Sequence, residues 1–122
     1  MKNVLIPGFA VKTFLFDNLT NFKKKFIIVE LKNYTYDETS ALLKRLVEEN
    51  GRINLSGWSL GTLYALKWTL ENPHSIEKLF LTGATSLFVE KDDYKNGILP
   101  SVVERMIRLI KSGKKKLVLN DF

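Results

Sequence analysis

The residues with most chemistry in this sequence are Gly57-Trp58-Ser59-Leu60-Gly61, a serine between two glycines at the spacing G-x-S-x-G. A serine hydroxyl is a weak nucleophile until a base takes its proton and N–H donors hold the oxyanion it creates. The spacing suits that chemistry when it joins a strand to a helix. The turn is then so tight that small residues must flank the serine, and the hydroxyl is pushed out above the C-terminal edge of the sheet. The helix that follows aims its N-terminal amides at the same point and favours negative charge there. Ser59 is therefore the candidate nucleophile. A glycine-rich strand-to-helix turn in another doubly wound fold satisfies the same five letters. A dinucleotide fingerprint fits worse, because G-x-G-x-x-G is absent.

The elements around the motif have the required order. Val4-Leu5-Ile6 predicts a short strand stopped by Pro7-Gly8, and Phe14, Leu15, Leu19 and Phe22 predict a helix before Lys23-Lys24-Lys25. The run 26–31 (FIIVEL) reads as a strand, rich in β-branched residues. Thr35 and Glu38 have capping-box spacing ahead of a helical stripe at Leu42, Leu43, Leu46 and Val47, closed by Gly51. Residues 53–56 read as a strand, 60–72 as a largely buried helix ended by Pro73, and 78–82 as a fourth strand. Strands alternating with helices predict an α/β fold, a doubly wound, mainly parallel sheet with helices on both faces. Residues 84–99 read as a loop with acidic Glu90, Asp92 and Asp93. After Pro100, Val102, Val103, Met106, Ile107, Leu109 and Ile110 share one helical arc, and Glu104, Arg105, Arg108 and Lys111 the other. Such a helix is expected to lie on something apolar.

Composition narrows the classes. The chain has 122 residues, 45% hydrophobic and 26% charged, enough for one globular domain. The absence of cysteine excludes disulfides and thiolate chemistry, and a single histidine excludes a multi-histidine metal site. No metal and no cofactor are expected. No apolar run reaches the length of a membrane span, and Met1-Lys2-Asn3-Val4 runs directly into a strand without a signal-peptide pattern. A cytoplasmic protein is the expectation. The net charge of +6 is uneven, since residues 101–122 hold six basic and two acidic residues. That segment is either a solvated face with a lysine-rich turn or a surface for an acidic partner. Nucleic acid is not expected, because the basic residues lack interleaved aromatics and any known binding motif.

With these residues in place, the chain resembles the α/β-hydrolases. Within that fold it resembles the pimeloyl-acyl-carrier-protein methyl ester carboxylesterases of biotin synthesis. The resemblance rests on 57–61, on 65–73 (ALKWTLENP), on 83–88 (GATSLF), and on Asp92-Asp93-Tyr94 with Gly97 and Pro100 at the start of a helical cap. It covers nearly all of this chain and about half of the family's usual length. It implies a hydrolase core at 1–88 and the beginning of a cap at 89–122. It also implies that Ser59 attacks an ester carbonyl while the N–H groups of Leu60 and Phe9 hold the oxyanion. The family usually has His-Gly-aromatic-Gly after the first strand; here the turn is Pro7-Gly8-Phe9-Ala10. Phe9, Trp58, Leu60 and Phe122 would line the substrate site, although Phe9 and Trp58 also suit ordinary core packing. Arg105, Arg108 and Lys111 stand where the cap receives acyl carrier protein.

The chain departs from the family in its triad. The order there is serine, acid, histidine, with the last two on loops after later strands. The sequence stops within the cap, and His74, before the fourth strand, is expected at the opposite sheet edge from Ser59. The acid and the histidine are then expected from sequence outside this chain, with a second polypeptide or self-association completing the fold. The alternative is a catalytically inactive hydrolase remnant that binds an acidic protein through its basic C-terminal segment.

Overall fold

Short apolar runs become the strands of one sheet. β1 (Lys2–Ile6), β2 (Phe26–Ile28), β3 (Ile53–Trp58) and β4 (Ile76–Thr82) lie in the order β2-β1-β3-β4, every neighbouring pair parallel. The computed structural model describes residues 1–33, 35–84 and 87–121. They form two compact units, 1–85 and 86–122.

In the first unit, α1 (Thr20–Lys25), α2 (Tyr36–Asn50) and α3 (Leu60–Glu71) are the crossovers. The chain steps from β1 outward to β2, then back across β1 to β3 and on to β4. Right-handed crossovers therefore set α1 on one face and α2 and α3 together on the other. The second face holds the core, where Val4, Ile6, Ile53 and Leu55 meet Leu43, Leu46, Ala65 and Trp68. Each fully buried valine, leucine or isoleucine among them contributes roughly 1.5–3 kcal/mol. Thr35 caps α2, its hydroxyl accepting from the Glu38 N–H at 3.3 Å, and the Glu38 carboxylate accepts from the N–H groups of Lys32 and Asn33. α2 and α3 are tied by the Tyr36 hydroxyl, which donates to Glu71, and by Lys67 lying 4.2 Å over the Tyr36 ring.

Several boundaries differ from the sequence expectation. The helix expected around Phe14–Phe22 is two pieces, a 3-10 turn at Thr13–Phe16 and α1, because Leu19 leaves the helical region at φ −97° and ψ 63°. The strand expected at 26–31 pairs regularly only to Ile28. Val29 still donates to the Leu5 carbonyl at 2.8 Å, but β1 ends at Ile6 and Pro7 has no N–H to continue the ladder. β3 runs on through Gly57 to Trp58, paired with Thr82 of β4.

The second unit begins with a loop closed on itself. Glu90 donates to the Ile98 carbonyl, Ile98 to Phe88, and Lys91 and Tyr94 exchange both bonds at 3.0 Å. α4 (Pro100–Lys111) follows and α5 (Lys115–Asp121) ends the unit. Between them Gly113 has φ 79°, donating to Ile110, while Lys114 donates to Leu109. That is a Schellman stop. The lysine-rich turn expected at 114–116 is thus mostly the first turn of α5. The expected burial of the α4 apolar arc is not found: α4 has no buried residue, and Val102 and Ile107 stay 43% and 46% exposed.

Candidate active site

The β3–α3 turn is built by the absence of two side chains. A Cβ on Gly61 would fall 2.0 Å from the Ile6 carbonyl oxygen and 2.8 Å from that of Pro7, so α3 begins in backbone contact with the end of β1. A Cβ on Gly57 would fall 2.7 Å from both the Gly61 oxygen and the Thr62 Cα. Strand and helix therefore approach across the turn to a distance only hydrogens allow. Ser59, between them, takes φ 52° and ψ −119°. A non-glycine residue there costs of order 1–3 kcal/mol and persists only where its surroundings hold it.

Those surroundings are hydrogen bonds. The Ser59 N–H donates to the Thr82 carbonyl at 2.9 Å, tying the turn to the end of β4. Its own carbonyl accepts from the Thr62 N–H at 2.9 Å and from the Thr62 hydroxyl at 2.6 Å. Thr62 is fully buried. Both backbone groups of Ser59 are thus spent on positioning, and the side chain, on a half-buried residue, is left for chemistry.

The turn after β1 comes to the same place. A Cβ on Gly8 would lie 3.2 Å from the Ser59 Cβ and 3.7 Å from its Oγ. Gly8 accepts from Val11 at 3.3 Å, closing a four-residue turn whose third position, Ala10, has φ 60°. That position normally calls for glycine. Ala10 and Ser59 are the only non-glycine residues with positive φ among the described residues, and both belong to the turns that meet here.

Phe9, Trp58, Ser59 and Leu60 therefore stand at one end of the first unit, at the C-terminal edge of the sheet. Leu60 is the first residue of α3, where a helix N–H has no acceptor within the helix. Trp58 is 41% exposed, and Phe9 is half-buried. His74 sits in the 3-10 turn Pro73–Ser75 before β4, whose first residue pairs with the first of β3. The six residue steps from Ile53 to Ser59 span about 20 Å, so the histidine is at the far edge of the sheet. Arg105, Arg108 and Lys111 lie on α4 in the second unit, exposed. Glu90 is there too, paired with Lys95 at 3.2 Å, as are Asp92 and Asp93. Phe122 lies outside the described residues.

Sequence reading missed the supports. Thr62 follows the serine by three residues, a spacing that suits a hydroxyl bonding back to a carbonyl. The contributions of Gly8 and Thr82 depend on strand order and carried no local signal. In the α2–α3 seam the pKa of Tyr36 is raised by burial and then by its bond to Glu71, and that of Tyr64 is raised by burial.

No protein-family model matches the sequence, and neither does any curated protein. Among solved structures, an α/β-hydrolase enzyme from the metagenome of sediments of the lagoon of Mar Chica, Morocco, superposes with a TM-score of 0.57 at 21% identity. The match covers 99% of this chain and 56% of that one. An α/β-hydrolase enzyme from a Medee basin deep-sea metagenome library gives 0.48 at 24% identity, over 66% of this chain and 35% of that one. On the first of these comparisons the chain has the α/β-hydrolase fold, and it spans about half of that neighbour's length. No helix among the described residues is long and apolar enough to cross a membrane.

Proposed function

We propose that the chain is the nucleophile-bearing part of a carboxylic ester hydrolase. Ser59 attacks the ester carbonyl, and the N–H groups of Phe9 and Leu60 hold the tetrahedral oxyanion. A histidine from polypeptide outside these 122 residues, oriented by an acid from the same source, takes the serine proton and passes it to the leaving alcohol. Water then hydrolyses the acyl-enzyme. The observation that carries this reading is Ser59 in a strained turn, packed against Gly8 of the β1 turn. Strain held at one exposed-edge serine by a buried threonine and a neighbouring strand is costly for a merely structural turn.

The substrate class follows from the sequence resemblance: a methyl ester carried by acyl carrier protein, as in biotin synthesis, with Arg105, Arg108 and Lys111 receiving the acidic carrier. Trp58, at the mouth of the turn, would contact the acyl chain. Methanol release from pimeloyl-acyl-carrier-protein methyl ester tests the reading. The chain alone should be inactive, because triad loss costs several orders of magnitude. Supplied with a C-terminal polypeptide carrying the acid and the histidine, it should turn over, and Ser59→Ala should abolish that turnover. The position of His74 favours a second reading, an inactive remnant that binds an acidic protein through the basic segment 101–122. Carrier binding without turnover in the supplemented protein would select it.

A further inference from the structure

Residues 12–25 follow the Gly8–Val11 turn and take no part in the chemistry proposed above. Phe14, Leu15 and Leu19 are 63%, 56% and 52% exposed, three large apolar side chains within six residues. They sit on a stiff segment. Phe16, Phe22 and Phe26 stack nearly parallel, with ring centroids 5.6 and 4.4 Å apart, and Lys23 pairs with Asp17 across the chain reversal. Consecutive backbone bonds from Leu15, Asp17, Leu19 and Phe22 fix the turns between. The exposed side chains are therefore held outward by a braced backbone.

Charge indicates what covers them. Lys12, Lys23, Lys24 and Lys25 are all exposed, and Asp17 is the only acidic residue between positions 12 and 25, a net +3. Exposed apolar residues with a polar rim mark protein or membrane contacts. Phe14, Leu15 and Leu19 project as exposed knobs from a short, turn-rich segment. Acyl chains accept such knobs without shape complementarity, and acidic headgroups accept the ammonium groups around them. We propose that residues 12–25 dock on an anionic membrane surface, with Phe14, Leu15 and Leu19 entering the headgroup–acyl boundary and Lys12, Lys24 and Lys25 facing the headgroups. The proposal does not depend on Ser59 being a nucleophile.

Co-sedimentation of the chain with vesicles tests it. One set is phosphatidylcholine alone, the other phosphatidylcholine mixed with phosphatidylglycerol, each at low and at high salt. Binding should be at least about tenfold stronger to the mixed vesicles and should fall steeply with salt. Phe14→Ser/Leu15→Ser/Leu19→Ser and Lys12→Gln/Lys24→Gln/Lys25→Gln should each lower it by about tenfold or more while far-UV circular dichroism stays unchanged. Equal binding to both vesicle types overturns the proposal. So does binding left intact by both variants, which would move the contact elsewhere, for instance to 101–122. Capture on soluble polyglutamate without vesicle binding would assign the lysines to an acidic protein and also overturn it.

Discussion

The two turns that meet at Ser59 solve the same problem in opposite ways. At the β3–α3 turn the close approach is made with glycine, and Gly57 and Gly61 have no room for a methyl group. At the β1 turn the position that wants glycine holds Ala10, at φ 60°. The first turn is fixed by sterics and tolerates nothing larger. The second has space for its side chain but carries backbone strain. Adding a methyl group at Gly57 or Gly61 and removing one at Ala10 should therefore have opposite signs.

Gly61→Ala is the largest test of that contrast. Its methyl would collide with the carbonyls of Ile6 and Pro7, and backbone must move, so we expect a loss of about 3 kcal/mol or more, read as a collapsed urea midpoint. Gly57→Ala meets backbone at 2.7 Å and should cost about 2–3 kcal/mol by the same measurement. Ser59→Gly should reverse the sign. It relieves the strain at φ 52° while losing some unfolded-state restraint, for a net gain of about 1 kcal/mol and a higher melting temperature. Ala10→Gly should give the smallest change, a gain of about 0.5–1 kcal/mol. A loss of stability in Ala10→Gly would break the contrast, because it would mean that Ala10 is held by packing rather than strained.

Most of the fold could be read from the sequence because its signals are local. The alternation of apolar runs with capped helical stripes gave four strands and their crossovers, and G-x-S-x-G gave the turn that carries Ser59. What escaped depends on partners. β2 is short because Pro7 ends its neighbour, and the helix expected at Phe14–Phe22 is broken at Leu19, which no periodicity reveals. α5 was hidden by lysines that read as a turn, since Gly113 does stop a helix but a new one starts two residues later. At the site, the serine and the turn after β1 were legible as motifs. The bond from Ser59 to Thr82 was not, because it joins two strands paired only by the tertiary fold.

The central claim is that Ser59 is an activatable nucleophile, and labelling with a fluorophosphonate probe, located by peptide mass, tests it most directly. The account predicts no labelling of the chain alone, because its histidine, His74, lies at the far edge of the sheet from Ser59. It predicts labelling at Ser59 once a C-terminal polypeptide bearing the acid and the histidine is supplied, lost in Ser59→Ala. Labelling that persists in Ser59→Ala, or a Ser59 that stays silent in the supplemented protein, would contradict it.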